Sequence, residues 1–205
     1  MSDHKITDVA ALEAIYGLPR AASLTKEVDR LLPVYRRFVE AAPFCALATS
    51  GPEGLDVSPR GDATGFITVE DDKTLYLPDR AGNNRVDSLR NVIRDPRIAL
   101  LFLIPGIGET FRINGTAEVL VDPALLERFA VEGKKPRSVL KITIETVFFQ
   151  CSRAIVRSDL WNPEKHVARG DLPSAGQILQ AVSKEAFDGA AYDEALPKRV
   201  AETLY

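Results

Sequence analysis

The segment 74–103 constrains the fold most strongly, because its residue periodicity changes twice over a short length. Its two ends, 74–77 and 98–104, are rich in strand-forming residues, and the second is apolar at every position. Between them, 83–94 carries apolar residues at helical spacing along one face. A run that is apolar throughout is typical of a strand buried on both faces, or of one covered by a partner. The segment therefore predicts a strand, a loop, a helix and a buried strand.

The loop before this helix carries two arginines, Arg80 and Arg85, around a glycine and two asparagines. Unpaired backbone N–H groups and the positive end of the helix dipole favour an anion at a helix start. A guanidinium adds a planar, bidentate contact with phosphate. A second arginine loop, 58–61, contains Arg60 and precedes the first in the chain. We predict that the two loops bind one phosphorylated cofactor.

The remaining pattern predicts leading helices, then strands, then closing helices. Alternating residues and short turns favour antiparallel strands joined by hairpins, and Asn114 with Gly115 is compatible with a bulge or tight bend. A small closed barrel is favoured over an open sheet. The predicted strands are 44–50, 55–58, 66–70, 74–77, 98–104, 109–121 and 140–149. The predicted helices are 7–16, 83–94, 124–131, 152–160, 174–183 and 192–203. Between the first two of these, a short helix is predicted, followed by one with Pro33 in its first turn.

Composition narrows the class of protein. The net charge of −3 and pI of about 5.5 argue against non-specific nucleic-acid binding, which needs a basic face. No apolar run reaches the ~18 residues of a membrane span, and the N-terminus lacks the apolar core of a signal peptide. The two cysteines and two histidines show no metal-ligand spacing, so we expect no metal site. The expected location is the reducing cytoplasm.

Several short motifs occur in a fixed order and together resemble one known family. They are Phe44-Cys45-Ala46-Leu47-Ala48-Thr49, Ser58-Pro59-Arg60-Gly61-Asp62, residues 75–85, Asp95-Pro96-Arg97, Arg112-Ile113-Asn114-Gly115-Thr116-Ala117 and residues 151–161. This order is similar to that of the pyridoxamine 5'-phosphate oxidase-like FMN-binding split barrels. It resembles most closely a bacterial subgroup of FMN-dependent proteins that carries the Ser-Pro-Arg-Gly-Asp motif and the late segment. The resemblance covers roughly residues 30–165.

The resemblance implies a mainly β fold with flanking helices, of the α+β class. Its centre would be a six-stranded antiparallel FMN-binding split barrel. It also implies a homodimer with FMN at the subunit interface. The expected division is N-terminal helices over 1–43 packed on the barrel, the FMN-binding barrel over 44–165 and a helical extension over 166–205, all within one structural domain.

The same resemblance implies a set of cofactor-binding residues. In the family, the stretches at 58–61 and 83–85 bind the FMN phosphate and ribityl chain, and residues near 76–79 lie along the flavin. Thr110 takes the position of a flavin-contacting glutamine, and the late segment reaches the partner's flavin site. The predicted cofactor-binding residues are Ser58, Arg60, Gly61, Leu77, Pro78, Asp79, Asn83, Asn84, Arg85, Thr110, Arg112, Arg157 and Trp161.

Some of these residues also have a purely structural interpretation. Arg60 alone is compatible with a surface turn, and Asn83 with Asn84 is compatible with a helix cap. Arg112, in the middle of a predicted strand, either faces solvent or points at an anion. Trp161 is either a flavin contact or a packing anchor at a helix end.

The function implied is an FMN-dependent oxidoreductase that acts on an unidentified small molecule or takes hydride from a nicotinamide donor. No catalytic acid–base pair is visible in the sequence. The oxidase's C-terminal arginine-leucine-x-proline run is missing, so pyridoxamine phosphate is not predicted as the substrate. Two alternatives on the same fold stay open: a non-catalytic flavin- or haem-handling protein, and a deazaflavin-dependent reductase.

Overall fold

Residues 4–205, the part of the chain that the computed structural model describes, form one antiparallel sheet with helices around it. The strands are β1 (Phe44–Gly51), β2 (Gly54–Gly61), β3 (Thr68–Val69), β4 (Thr74–Asp79), β5 (Arg97–Leu103), β6 (Thr110–Leu120) and β7 (Ser138–Gln150). Their order in the sheet is β2-β1-β5-β6-β7-β4-β3. The predicted mainly β fold with flanking helices and antiparallel pairing is confirmed.

Two details of the predicted barrel are wrong. The described residues form seven strands rather than six, and the sheet is open, because β2 and β3 at its two ends pair on one side only. Hairpin signals predict which strands are neighbours, but closure depends on the twist and stagger of all strands together. The predicted strand 66–70 is mostly irregular, and only Thr68 and Val69 pair with β4.

The helices are α1 (Val9–Tyr16), α2 (Ala21–Thr25), α3 (Pro33–Ala41), α4 (Asp87–Arg94), α5 (Pro123–Arg128), α6 (Arg153–Ser158), α7 (Ala175–Val182) and α8 (Gly189–Thr203). Short 3₁₀ turns lie at Pro163–Lys165 and Arg169–Asp171. Pro33 occupies the first turn of α3, as predicted. The described part of the chain contains no helix long and apolar enough to cross a membrane.

The core lies on one face of the sheet. On β5, Ile98, Leu100 and Phe102 are buried, whereas the alternate residues are only half-buried. The run that is apolar throughout is therefore covered fully on one face only. Phe102 packs at 6.0 Å between ring centroids against Phe111, which in turn stacks on Phe38 of α3 at 5.4 Å. This contact attaches the helical leader to the sheet.

A bulge interrupts the pairing of β6 with β7 at Asn114 and Gly115, which confirms the predicted irregularity. The backbone of β7 passes very close to Gly115: a Cβ there would lie 2.0 Å from the carbonyl oxygen of Thr143. Only glycine allows this approach, because it has no side chain.

Candidate functional site

An open cleft of about 550 Å³ lies between the inward face of β2, the end of β4 and the start of α4. We call it the arginine cleft, because four arginines line it together with three aspartates. Its size falls within the range usual for small-molecule sites. It brings together nine of the predicted cofactor-binding residues: Ser58, Arg60, Gly61, Leu77, Pro78, Asp79, Asn83, Asn84 and Arg85.

The start of α4 differs from the prediction. The helix begins at Asp87 rather than at residue 83, so Arg85 lies in the preceding loop instead of the first turn. The N-cap residue is Val86, with no side-chain hydrogen bond, and not an asparagine. Instead of capping the helix, the Asn83 side chain accepts a 3.1 Å hydrogen bond from the amide of Arg85. The helix therefore begins without a side-chain cap at a wall of the arginine cleft.

The backbone of this loop is strained. Asn84 has φ of 60° and Val86 has φ of 53°, both in the left-handed region. Asparagine tolerates that region, but a β-branched residue such as valine adopts it only under constraint. Strain of this kind concentrates at binding and catalytic sites, where the surrounding structure maintains it.

The arginines of the cleft have internal partners. Arg60 Nη1 contacts Asp79 Oδ1 at 2.5 Å, and both side chains are more than four-fifths buried. Arg85 Nε lies 2.8 Å from Asp87 Oδ2 at the surface. Arg137 Nη1 donates to a neutral acceptor, Asn84 Oδ1, at 2.7 Å. The partner of Arg60 is a carboxylate, which shows that an oxyanion fits against its guanidinium group.

Strand β2 has its polar residues facing inward. Asp56, Ser58 and Arg60 alternate with outward residues, and the outward Leu55 and Val57 are 86% and 67% exposed. Because the polar residues face inward and the apolar residues face outward, β2 places a row of polar side chains along the cleft. The sequence reasoning missed Asp56, although its spacing of two from Ser58 was the signal that could have identified it.

Further lining residues were missed, among them Ser88, Arg137 and Ser138. Ser88 is buried in the first turn of α4. Arg137 and Ser138 enter the cleft because β7 pairs with β4, which places Ser138 directly opposite Asp79. No local pattern in the sequence indicated this pairing.

The environment of the Ser138 hydroxyl indicates whether the residues of the cleft fit a phosphorylated cofactor. Ser138 is one of the residues that line the cleft, and its hydroxyl oxygen is buried without a hydrogen-bond partner among the described residues. A buried polar atom without a partner is costly, and an oxygen-rich ligand would provide one. With the uncapped start of α4 and the neighbouring guanidinium groups, the donor set fits the phosphate and hydroxyl groups of such a cofactor.

Arg80 lines the cleft but is engaged elsewhere. It contacts Asp62 at 3.0 Å, donates to the carbonyl of Phe129 at 2.7 Å and lies beneath the ring of Tyr205. Burial raises the pKa of Asp62, but hydrogen bonds from the Tyr205 hydroxyl, the Ala63 amide and Arg80 outweigh it, so this pKa is below its usual value. Arg80 thus supports the wall of the cleft.

Four predicted residues lie outside the cleft in this chain: Thr110, Arg112, Arg157 and Trp161. Thr110 is buried at the start of β6. The guanidinium group of Arg112 lies 5.1 Å from the centre of the Phe148 ring. Arg157 is exposed on α6, and Trp161 Nε1 donates to the carbonyl of Ile107 at 2.8 Å. Within one chain, the Trp161 side chain therefore anchors the segment after α6.

The order of these elements matches a known family. The sequence profile described as pyridoxamine 5'-phosphate oxidase matches residues 31–151, which is more than half of the chain and includes most of the arginine cleft. The chain belongs to the pyridoxamine 5'-phosphate oxidase family. The fold of this family is a flavin-binding one, which agrees with the donor set of the cleft.

The solved structures that match this chain are only distantly similar to it. HupZ of Group A Streptococcus is 21% identical, with a TM-score of 0.46 over 57% of this chain and 90% of HupZ. A Clostridium acetobutylicum protein related to general stress protein 26 of Bacillus subtilis, of the pyridoxinephosphate oxidase family, is 18% identical. Its TM-score is 0.45 over 57% of this chain and 84% of its own. No curated protein matches the sequence.

The burial of Cys45 predicts how slowly its thiol reacts. This residue is buried directly opposite Arg60 on the neighbouring strand, and burial raises the pKa of its thiol to about 12, with a smaller lowering by Arg60. Because only the thiolate reacts, we expect Ellman's reagent at about pH 8 to label the exposed Cys151 rapidly and Cys45 only after unfolding.

The raised pKa of Cys45 also makes the stability of the protein depend on pH. Unfolding above the ordinary thiol pKa of 9.0 releases the Cys45 proton, so its contribution to stability falls as the pH rises from 9.0 towards about 12. Cys151→Ser should remove the rapid phase of labelling. Equal rates for both thiols in the folded protein would contradict the prediction.

Proposed function

We propose that this protein is an FMN-dependent oxidoreductase that binds FMN in the arginine cleft and acts on a small molecule. The observation that carries the proposal is the meeting of two loops that are distant in sequence. Arg60 of β2 and Arg85 before α4 line the same cleft, at a strained, uncapped helix start. Family membership supports a flavin, and the phosphate-binding chemistry of the cleft favours a phosphorylated flavin such as FMN over riboflavin.

Different residues of the cleft bind different parts of FMN. Arg60 and Arg85 bind the phosphate, with the backbone N–H groups that precede α4. Ser138, whose hydroxyl has no partner among the described residues, hydrogen-bonds the ribityl chain. Leu77 and Pro78 are buried and supply an apolar wall for the flavin. When bound, FMN supplies the hydride or electron transfer, and the protein supplies binding and orientation.

The lining of the cleft favours a flavin over haem. The described residues that form it include no histidine, cysteine, methionine or tyrosine, the side chains that ligate haem iron. This observation argues against the haem-handling alternative.

We further propose a homodimer. The outer face of the sheet exposes Leu55 and Val57 on an edge strand, and Phe44 beside them is about one-third exposed. Arg112 lies on this same face, because it pairs directly with Leu101 across β5 and β6. A second copy seated on this face would bury the apolar side chains and bring Arg112 to the subunit interface.

The isolated protein tests this function. We expect a yellow protein with a flavin absorption spectrum and about one FMN per chain, and light scattering at the mass of a dimer. Anaerobic addition of NADH or NADPH should bleach the flavin if a nicotinamide is the donor.

The other outcomes of these measurements distinguish the alternative functions. Bleaching by neither nucleotide rejects a nicotinamide donor but leaves oxidation of a small amine or heterocycle. Tighter binding of a deazaflavin than of FMN assigns the protein to the reductase alternative. A colourless protein that does not take up added FMN overturns the proposal.

A further inference from the structure

A row of hydrogen bonds links Arg60, through Ser58 of the same strand and Ser88 of α4, to the carboxylate of Asp56 on β2. Arg60 Nε donates to Ser58 Oγ at 3.2 Å, Ser58 Oγ lies 2.9 Å from Ser88 Oγ, and Ser88 Oγ donates to Asp56 Oδ2 at 2.6 Å. Three of these residues lie on β2 and one on α4. The row therefore spans the junction of strand and helix where the phosphate is proposed to bind.

The direction of each hydrogen bond follows from counting protons. A serine hydroxyl has one hydrogen, and that of Ser88 is used by the carboxylate of Asp56. Ser58 must therefore donate to Ser88. Its remaining acceptor capacity faces Arg60 Nε. The row runs one way, from the guanidinium through two hydroxyls to the carboxylate, and each step polarises the next.

The row restricts how Arg60 can turn. With Nε held by Ser58, the guanidinium presents its terminal nitrogens towards the cleft, and Nη1 there contacts Asp79. Ser88 is only 3% exposed, so the chain of contacts passes through a side chain with little freedom. A guanidinium pre-oriented in this way loses less entropy when it binds an oxyanion.

We propose that Asp56, acting through Ser88 and Ser58, positions Arg60 to bind the phosphate of the cofactor. The proposal rests on the proposed function and adds two positioning residues, Asp56 and Ser88, to it. It also explains why a carboxylate lies in a cleft for a phosphate. Coulomb repulsion alone would make Asp56 unfavourable there, whereas orientation of Arg60 gives it a role.

The test compares the affinities of FMN and riboflavin, which differ only by the phosphate, for the wild type, Asp56→Asn and Ser88→Ala. We expect each variant to bind FMN roughly 5- to 10-fold more weakly and to bind riboflavin unchanged. Combining either variant with Arg60→Ala should weaken FMN binding no further than Arg60→Ala alone, because all act through one guanidinium.

A control separates positioning from a general loosening of α4. Asn91 Nδ2 donates to Thr49 Oγ1 at 3.2 Å and also joins α4 to the sheet, but neither residue lines the arginine cleft. Thr49→Val should lower the melting temperature without changing the ratio of FMN to riboflavin affinity. Equal changes of that ratio in Thr49→Val and Ser88→Ala would overturn the proposal.

The remaining outcomes distinguish the two proposals. Tighter FMN binding by Asp56→Asn would show that the carboxylate acts by repulsion, and it would overturn the positioning role. If the wild type discriminates FMN from riboflavin and both variants do so equally well, only the positioning role fails. If the wild type binds neither, the proposed function fails and the positioning role with it.

Discussion

Arg60→Ala combined with Arg85→Ala is expected to remove FMN from the protein. Charge-assisted hydrogen bonds to phosphate contribute about 1.5–3 kcal/mol each, so the pair accounts for roughly 3–6 kcal/mol of binding free energy. That corresponds to a loss of affinity of roughly 10²–10⁴-fold. The measurement is the dissociation constant from quenching of FMN fluorescence, with the flavin absorbance of the purified variant as a second readout.

Two controls make this result specific. Arg90→Ala with Arg97→Ala removes the same charge from exposed positions outside the arginine cleft, and it should leave FMN affinity within about twofold. Because Arg60→Ala leaves the largely buried carboxylate of Asp79 without its partner, the melting temperature must show that the variant is folded. A folded variant that keeps wild-type affinity would place the phosphate elsewhere.

Gly115→Ala is expected to destabilise the fold more than any surface substitution. The added Cβ would lie 2.0 Å from the Thr143 carbonyl oxygen and 3.3 Å from the Glu145 amide nitrogen. Both contacts are with backbone, so β6 and β7 must separate locally at the bulge. We expect a loss of about 3 kcal/mol or more in the free energy of unfolding, and a fall in melting temperature of roughly 6–12 °C.

Gly170→Ala is the matched control, because nothing lies within 4 Å of its added Cβ and its φ is not positive. It should change the free energy of unfolding by no more than about 0.5 kcal/mol. Urea unfolding followed by circular dichroism measures both variants. A Gly115→Ala protein with the stability of Gly170→Ala would show that β7 does not approach β6 as described.

Features set by neighbours in the chain were predicted well. Pro33 at the start of α3 and the bulge at Gly115 follow from backbone preferences of single residues. The apolar run along β5 predicted a strand, and within one chain that strand is fully buried on one face only. The start of α4 was misplaced because Asn83 forms a turn in the loop instead of capping the helix. Both asparagine roles use the same side-chain oxygen, so composition does not distinguish them.

The sequence predicted some residues of the arginine cleft and missed others. Arg60 and Arg85 were found because glycine and arginine cluster in each loop, and the family resemblance supported one site for both loops. Ser88 became visible only when α4 was packed against β2, since it contacts Asp56, a strand residue 32 positions earlier. Arg112 and Trp161, by contrast, lie outside the cleft of their own chain.

Periodicity along the chain thus specifies strand, helix, turn and the polar or apolar face of each element, because these depend on backbone geometry that repeats every few residues. It does not specify which elements meet. Sheet register placed Ser138 opposite Asp79 and Cys45 opposite Arg60, and it arises from the packing of all strands at once. The sequence predicted a phosphorylated cofactor, whereas the arrangement of donors around the proposed phosphate was decided by tertiary structure.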